Sequence, residues 1–491
     1  MLFNPNPNPA SPTKIGLLPL VLSILLLAAT AVPTTIANEL ILQKPWSEKS
    51  LKGHVAHSDY AGELSSKTLQ ELAAKGELLF DARFTSLDGV GRPRATHAII
   101  PTKRRQLKQN LFNRISGLDA NACSSCHNEP RIGGAGSFSL NVFSSEGFTG
   151  QGTDSTDPQF SNERNTNHIF GAGLIELLAR EMTADLHQLR KKVLREARAK
   201  GRDQSVKLVT KGVNFGSLTA SANGLVDLSD IQGIDTDLVI RPFTQKGVIT
   251  SLRQFTVNAL NQHHGMQANE RFGPRWTGEN DFDGDGVINE ISPGDVSALV
   301  AWQATLGPPV ISEPQSLVWQ EAAAKGALLF NQLDCSSCHI QTLPLDSLKF
   351  SDPGPVDAAG TLRQSDSNYL AIYDLTKTDW AASLSRNSAG QVLVPLFGDL
   401  KRHVMSDGDV LALGNELLSQ RFVVRNEFIT GELWGVASTM PYGHRGNMTT
   451  LDEVITAHGG EARKSRDLYL KLPPEERQNI IAYLKTMVIK Q

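Results

Sequence analysis

The four cysteines of this 491-residue chain stand in two short motifs of the form Cys-x-x-Cys-His. One is Cys123-Ser-Ser-Cys126-His127, and the other is Cys335-Ser-Ser-Cys338-His339. Two thiols at this spacing can add to the two vinyl groups of one porphyrin, and the adjacent histidine can then bind the iron as an axial ligand. The sequence therefore predicts two covalently bound haem c groups, with His127 and His339 as proximal ligands.

Other uses of paired cysteines explain these motifs less well. Zinc ribbons bring their two Cys-x-x-Cys pairs much closer together in the sequence and need no histidine directly after either pair. A redox-active dithiol would be single and set in a βαβ unit, and two structural disulfides would leave the repeated histidine unexplained. Haem attachment accounts for both the cysteines and the histidines.

The beginning of the chain predicts export. One cation, Lys14, precedes an apolar run from Ile15 to Val32, and small residues follow as far as Ala37. This order is typical of a cleaved signal peptide, which we assign to residues 1–37. An uncleaved membrane anchor is the alternative, because about 18 apolar residues can just span a bilayer. A periplasmic or secreted location agrees with haem c, which is attached outside the cytoplasm.

The composition indicates an ordinary globular protein. Charged residues make up 20% of the chain and hydrophobic residues 40%, and the formal net charge is −3. These values leave enough apolar material for two domains. They exclude the strongly basic surface that a nucleic-acid-binding protein needs, so we expect no nucleic-acid partner.

An internal repeat predicts two similar halves. The segment Ala73–Phe80 recurs as Ala323–Phe330, and apolar residues three and four apart make each copy a helix that precedes a haem motif. A second helix is expected to close each half, one from Asp295 to Leu306 and the other from Glu475 to Val488. Proline and acidic residues stand at the start of both.

These patterns predict a mainly α fold with two cytochrome-c-like haem domains, residues 38–310 and 311–491. The last helix should pack on the helix that carries Leu328 and Leu329. The first domain is the larger one and should carry loops and minor β-structure, including a hairpin region between Val206 and Val239.

An acidic loop in the first half predicts a calcium site. Carboxylates alternate at loop positions 1, 3 and 5, and Gly286 stands at position 6, where a calcium loop turns sharply. Ser292 occupies position 12, where an EF-hand has glutamate. Glu290 or Asp295 would complete the coordination shell of the ion instead. An Asp/Gly-rich turn without metal is the alternative. The predicted ligands are Asp281, Asp283, Asp285, Asn289 and Glu290.

The order of motifs resembles the two-haem family that includes bacterial cytochrome c peroxidases and the MauG enzyme, and more closely its branch of di-haem oxidoreductases. Beside the haem motifs, the segments that carry the resemblance are Asn162–Glu176, Arg241–Arg253 and Pro441–Glu453. It covers roughly residues 65 to 490. The resemblance implies a redox enzyme in which one haem meets peroxide and the other handles electrons.

The resemblance also implies roles around the C-terminal haem. His458 matches the position at which the peroxidases place a methionine on that iron, so we predict His458 as its sixth ligand. Capping of a helix C-terminus is the alternative role for this residue. His444 and Met440 are further candidates for the same position.

Around the N-terminal haem the chain departs from the peroxidases. Their peroxide-cleaving glutamate falls near His264, which could act as the acid-base group, bind the iron or only pack at a helix end. Glu176 is a second catalytic candidate that could instead cap a helix. The inter-haem tryptophan of the peroxidases falls in a stretch where Phe243 is the only aromatic residue, and phenylalanine is harder to oxidise.

We therefore expect reduction of peroxide, or oxidation of a substrate by peroxide, oxygen or another small oxidant, with electrons passing between the haems. The donor would be a periplasmic protein such as a small cytochrome or a cupredoxin. A non-catalytic two-haem electron carrier and a haem-based redox or gas sensor are the alternatives. A vacant coordination position separates the enzyme from the carrier, and ligand binding without turnover would indicate the sensor.

Overall fold

The described part of the molecule consists of α-helices and small β-sheets. A computed structural model describes residues 48–91, 94, 100–103, 121–142, 162–356, 360–414, 416–417 and 420–490. The predicted signal peptide lies outside these residues. The α-helices are α1 (Ser66–Phe80), α2 (Ala172–Lys200), α3 (Leu252–Ala259), α4 (Asn269–Phe272), α5 (Pro274–Thr277), α6 (Pro293–Thr305), α7 (Leu317–Gln332), α8 (Leu451–Ala457), α9 (Arg463–Lys471) and α10 (Pro474–Leu484).

The sheets have two or three short strands each. Two are three-stranded, with the orders β4-β5-β6 and β1-β10-β9, and the pairs are β2-β3, β7-β14, β8-β11 and β12-β13. The strands are β1 (Gly62–Glu63), β2 (Gly136–Val142), β3 (Asn162–Thr166), β4 (Gln204–Thr210), β5 (Val213–Ala220), β6 (Val226–Asp227), β7 (Val310–Ile311), β8 (Leu343–Leu345), β9 (Lys349–Asp352), β10 (Ala371–Asp374), β11 (Val392–Val394), β12 (Arg402–Val404), β13 (Glu427–Ile429) and β14 (Met487–Val488).

Helices hold more of the described residues than strands, as the sequence predicts. The sheet β4-β5-β6 lies where the hairpin region is expected. Short strands are not confined to the first half, however, because six of them, β8 to β13, lie between residues 343 and 429. Their side chains alternate between buried and partly exposed positions in stretches too short to give a clear period in the sequence. No helix within the described ranges has the length and apolar content needed to cross a bilayer.

The two copies of the repeat form equivalent helix crossings. Gly76 of α1 lies so close to α6 that an added Cβ would be 2.0 Å from the carbonyl oxygen of Ala298. Gly326 of α7 lies equally close to α10, where an added Cβ would be 1.9 Å from the carbonyl oxygen of Asn479. Only glycine allows the two backbones to approach this closely. Each repeat helix therefore crosses its closing helix at the same position of the repeat.

The contact at Gly326 also determines which side of α7 is buried. Phe330 lies one turn further along the same face and is 3% exposed, whereas Leu328 points to the opposite face and is 64% exposed. The last helix therefore packs on α7, as predicted, and Leu328 lies on the side of α7 that faces away from it. Leu329 packs against the cluster that contains Ile480 of α10, as expected.

Two apolar clusters form the core. The larger one joins buried residues of α1, α2 and α6 to residues of β8 to β11, so that Leu72 and Leu299 belong to the same cluster as Leu343 and Tyr373. The smaller one lies around α7, α8 and α10 and includes Phe330. Residues from 48 onward form one compact unit. The division into haem domains at 310/311 stays a prediction.

A buried ion network links the two predicted halves. The guanidinium of Arg253, on α3, contacts Glu270 Oε2 at 2.5 Å and Asp352 Oδ1 at 3.0 Å. Arg253 also donates to Ser297 Oγ on α6, and Tyr373 donates its hydroxyl to Asp352. Burial raises the pKa of Asp352, but Arg253 and these hydroxyls outweigh it and hold that pKa below its ordinary value.

Candidate functional site

The first haem motif lies beside the crossing of α1 and α6. Phe80, the last residue of α1, has its ring centroid 5.9 Å from that of His127 and 4.4 Å from that of Trp302 on α6. Cys123 begins a short 3₁₀ turn, and neither cysteine pair of the chain is joined by a disulfide. Both thiols are therefore available for thioether bonds.

The loop after this motif fixes the orientation of His127. Its Nδ1 is 3.3 Å from the carbonyl oxygen of Gly134, and the carbonyl of Asn167 is a second acceptor. An Nδ1–H that donates to backbone leaves Nε2 free to bind a metal. Burial lowers the pKa of His127 to about 4 against the effect of both carbonyls, so the imidazole is neutral, as a ligand must be. An added Cβ on Gly134 would be 1.9 Å from the carbonyl oxygen of Glu129, which explains the glycine here.

The second motif repeats this arrangement. His339 Nδ1 is 3.2 Å from the carbonyl oxygen of Phe397, and the ring of Phe330 lies 6.3 Å from the imidazole. Burial, followed by the nearby His458, lowers the pKa of His339 to about 4. Phe80 and Phe330 are equivalent residues of the repeat, so both proximal candidates face the same helix position.

His458, the predicted sixth ligand, is the residue that follows α8. Its Nδ1 donates to the carbonyl of Val454 at 2.7 Å, which again leaves Nε2 free, and it is close enough to His339 to lower the pKa of that imidazole. Three histidines with backbone-bound Nδ1 atoms thus fit the donor set that haem iron requires. His444 instead stacks on Phe428 at 4.6 Å, and Met440 is 56% exposed.

His264 lies against the first haem motif. It is 4% exposed, and its Nε2 is 3.6 Å from Cys123 Sγ. The residue ends a π-helical turn, Leu260–His264, and the ring of Phe84 contacts it edge-on at 6.2 Å. Single π-helical turns are frequent at functional sites. The structure therefore brings the predicted catalytic histidine next to the first haem motif.

Glu176 has a structural environment. It is 1% exposed, one carboxylate oxygen contacts Arg180 Nη2 at 2.5 Å, and the other accepts the backbone N–H of Leu252 at 2.7 Å. Leu252 is the first residue of α3. Glu176 thus caps that helix, which is the alternative that the sequence left open.

The acidic loop brings three carboxylates together. Asp281, Asp283 and Asp285 each offer one oxygen within 4.8 Å of the other two. Asp283 is fully buried, and within the described residues its Oδ2 has no hydrogen-bond partner, as is also true of the buried Asp285 Oδ2 and Asn289 Oδ1. Burial, then Asp285 and Asp281, raise the pKa of Asp283 to about 7. Unpartnered buried oxygens beside like charges are what a hard cation would satisfy.

Two other acidic candidates have separate partners. Glu290 accepts the backbone N–H of Gln267 at 2.7 Å. Asp295 contacts His54 Nδ1 at 2.6 Å, accepts the N–H of Val55 at 2.8 Å and belongs to the capping box of α6. The oxygens that converge in the loop are therefore those of the three aspartates.

Sequence reasoning missed a histidine beside the second haem motif. His403 Nε2 is 2.9 Å from Asp399 Oδ2, and its Nδ1 is 2.8 Å from Glu461 Oε2. Cys338, Asp399 and His403 lie within 4.8 Å of one another. Burial lowers the pKa of His403, but the Asp399 carboxylate reverses this and the net effect is a rise. No spacing in the sequence links the three residues, so local patterns gave no signal.

Comparisons with known proteins give one family match. Residues 377–487 match the family described as "Di-haem oxidoreductase, putative peroxidase", which confirms the resemblance predicted from the sequence. None of the curated proteins compared matches this chain.

Two solved structures show weaker similarity. One is the hydrazine synthase of Kuenenia stuttgartiensis pressurized with xenon, at 13% identity and a TM-score of 0.34, over 95% of this chain and 99% of that chain. Another is a MauG-like protein associated with microbial copper homeostasis, at 15% identity and a TM-score of 0.29, over 55% of this chain and 78% of that chain. At these scores neither structure supports an inference about this chain.

Proposed function

Since residues 377–487 of this chain belong to the di-haem oxidoreductase family, we propose that the protein is a two-haem redox enzyme of the peroxidase type. The observation that carries the proposal is the place of His264, whose Nε2 lies 3.6 Å from the cysteine that begins the first haem motif. A buried imidazole at this place is positioned to act on a small oxidant bound at that haem.

In this proposal each predicted domain holds one haem c. The residues that would hold them are Cys123, Cys126 and His127 in the first and Cys335, Cys338, His339 and His458 in the second. When bound, the haems supply the one-electron and peroxide chemistry. The protein fixes the proximal histidines through the carbonyls of Gly134 and Phe397, which keeps each Nε2 directed away from the backbone.

The two haem sites would have different roles. With His458 as a second ligand, the C-terminal site would pass electrons and would admit no oxidant. At the N-terminal site, His264 would take the first proton of peroxide on its Nε2 and return it to the departing oxygen. A general acid-base group of this kind contributes about 10²- to 10⁴-fold to the rate.

The position of His264 also supports a second candidate function. A histidine this close to the motif could also bind the N-terminal iron, in which case both irons would have two protein ligands and the protein would be an electron carrier. The two functions predict opposite effects of replacing His264, so one variant distinguishes them.

The test is hydrogen peroxide consumption by the purified two-haem protein, with absorption spectra of the oxidised and half-reduced forms. For the enzyme, His264→Ala should slow peroxide consumption by about 10²- to 10⁴-fold while haem content and the resting spectrum stay unchanged. For the carrier, the same change should alter the resting spectrum and increase peroxide reactivity. His187→Ala, at a half-buried position of α2, is the matched control. Unchanged rate and spectrum in His264→Ala would contradict both functions.

The acidic loop supports a second proposal, a structural calcium ion held by Asp281, Asp283 and Asp285. Its support is the convergence of the three carboxylates together with the buried, unpartnered oxygens of Asp283, Asp285 and Asn289 within the described residues. Asn289 Oδ1 and backbone or water oxygens would complete the six to eight ligands that calcium takes.

We also propose a location and an electron donor for the protein. Cleavage after residue 37 would leave a periplasmic or secreted enzyme that takes electrons from a small cytochrome or cupredoxin. The intact mass of the purified protein tests cleavage, since it gives the N-terminal residue and the number of covalent haems together. A mass that retains residues 1–37 would favour the membrane anchor.

A further inference from the structure

A buried histidine joins the two haem-binding parts of the chain. His168 Nε2 lies 3.1 Å from the backbone carbonyl oxygen of Trp434. Because a carbonyl can only accept, Nε2 carries the proton and donates it. His168 follows β3 in the first half, and Trp434 follows β13 in the second half. This hydrogen bond therefore connects chain segments that are far apart in sequence.

Tight packing holds this contact in place. Trp434 is 2% exposed, and a Cβ added to Gly171 would lie 2.5 Å from its indole ring. A Cβ added to Gly435 would lie 3.2 Å from His168 Nε2. Both glycines have positive φ values, 78° and 82°, so side chains are disfavoured there by the backbone as well as by the available space. The imidazole and the Trp434 carbonyl therefore keep one relative position.

On one side the contact leads to the second haem motif. The residue before Trp434, Leu433, donates its N–H to the carbonyl oxygen of Phe397 at 3.4 Å. The same oxygen is the acceptor for His339 Nδ1 at 3.2 Å. One carbonyl thus joins the proximal histidine of the second motif to the backbone of Leu433.

On the other side the contact leads to the first haem motif. The residue after His168, Ile169, donates its N–H to the carbonyl of Gly133 at 2.9 Å, and Gly133 in turn donates to the carbonyl of His127 at 2.9 Å. The next residue, Gly134, offers the carbonyl oxygen that lies 3.3 Å from His127 Nδ1. His168 is therefore joined to the first motif by backbone hydrogen bonds.

We propose that the His168–Trp434 hydrogen bond is the path for electrons between the two haems. The complete path runs by covalent and hydrogen bonds from His339 through Phe397, Leu433, Trp434, His168, Ile169 and Gly133 to His127. Electronic coupling falls more slowly along bonds than across empty space, so an unbroken sequence of bonds between the proximal ligands is the favoured route. The path does not use Phe243, where the related peroxidases have their tryptophan.

This inference rests on the proposed function, which supplies the two haems and the electron exchange between them. In each transfer one iron is oxidised by one electron and the other is reduced by one. His168 keeps its Nε2 proton throughout, so no proton, oxidant or further reductant takes part.

The test is the rate of electron transfer between the haems in the two-haem protein. A radiolytic pulse delivers less than one electron per molecule, and the absorbance of each haem is then followed as the electron redistributes. His168→Phe removes the donor and keeps a ring of similar size, and we expect it to slow the transfer at least tenfold. His168→Gln offers an N–H that can reach the Trp434 carbonyl, and we expect it to retain at least half of the rate.

Haem content and the two reduction potentials, measured for every variant, show whether the sites themselves are intact. His187→Phe is the matched control, because His187 Nε2 makes the same kind of bond to a backbone carbonyl, that of Asp237 at 2.8 Å, at a half-buried position of α2. If His168→Phe does not retain both haems, His168→Asn replaces it, since the shorter amide cannot reach the Trp434 carbonyl.

The outcomes distinguish the proposed electron path from the proposed two-haem function on which it rests. Slow transfer in the Phe variant with retention in the Gln variant supports the path. Wild-type rates in the Phe variant, or equal slowing in the Phe and Gln variants, overturn it while the two-haem function stands. A wild-type protein with fewer than two haems, or without transfer between them, overturns the proposed electron exchange itself.

Discussion

Replacing Asp283 by asparagine should stabilise the protein without calcium and remove its response to calcium. Asp283 is fully buried between Asp281 and Asp285, and this environment raises its pKa from 3.8 to about 7. A carboxyl group whose pKa is higher in the folded than in the unfolded state binds its proton more tightly when folded. The folded state therefore loses stability as the pH rises from about 4 to about 7.

The pKa rise gives the size of the effect. A change from 3.8 to about 7 corresponds to ~4 kcal/mol at pH 8, which is the upper limit of what Asp283→Asn can recover, because asparagine has no charge to bury. Calcium acts in the opposite direction, on the wild type alone. A bound ion gives the ionised carboxylate a partner and stabilises the wild type by ~2.7 kcal/mol at 100 times the dissociation constant.

The measurement is thermal unfolding at pH 5 and pH 8, with EDTA and with added calcium. At pH 8 with EDTA, Asp283→Asn should unfold at a higher temperature than the wild type, and the difference should shrink at pH 5. Calcium should raise the midpoint of the wild type and leave that of the variant unchanged. Asp203→Asn, at an exposed position, is the control. A wild type that does not respond to calcium, or a variant less stable than the wild type in EDTA, would refute this reasoning.

Three further perturbations test the described contacts. His458→Met should raise the reduction potential of the C-terminal haem, because thioether ligation raises it, and an unchanged potential in a redox titration would show that His458 is not a ligand. Arg253→Met should cost ~3–5 kcal/mol, since it leaves the buried carboxylate of Asp352 without its cation, and urea unfolding at pH 7 measures the loss. Gly326→Ala should cost ~1–3 kcal/mol by forcing α7 and α10 apart, whereas Gly53→Ala, with open space around it, should change the urea midpoint little, and equal effects would contradict the packing.

The features that could be predicted depend on residues close together in the sequence. The haem motifs contain their own thiols and proximal histidine, and each repeat helix shows its period within a few turns. The position of His264 could be predicted only through the family resemblance, because its neighbour Cys123 is distant in the chain. The structure then supplies the reason for its orientation, a π-helical turn that ends at this residue.

The features that could not be predicted are contacts between distant segments. Nothing near His168 in the sequence indicates that Trp434 will accept its hydrogen bond. His403 likewise meets Glu461 only through folding. Which side of α7 is buried could not be predicted either, because its apolar period allows more than one buried face and the contact of Gly326 with α10 selects between them.

The parallel pairing of β1 with β10 has a consequence for how the chain folds. Gly62 pairs with Ala371, so about 300 residues must be brought into a closed loop before β1 finds its partner. Closing so long a loop is entropically unfavourable, and contacts of this separation form late. The core around the first haem motif also draws residues from strands that follow the second motif. We therefore expect the thiols of Cys123 and Cys126 to stay accessible until the later segments have been synthesised. A cofactor would then have a long interval in which to be attached at this site.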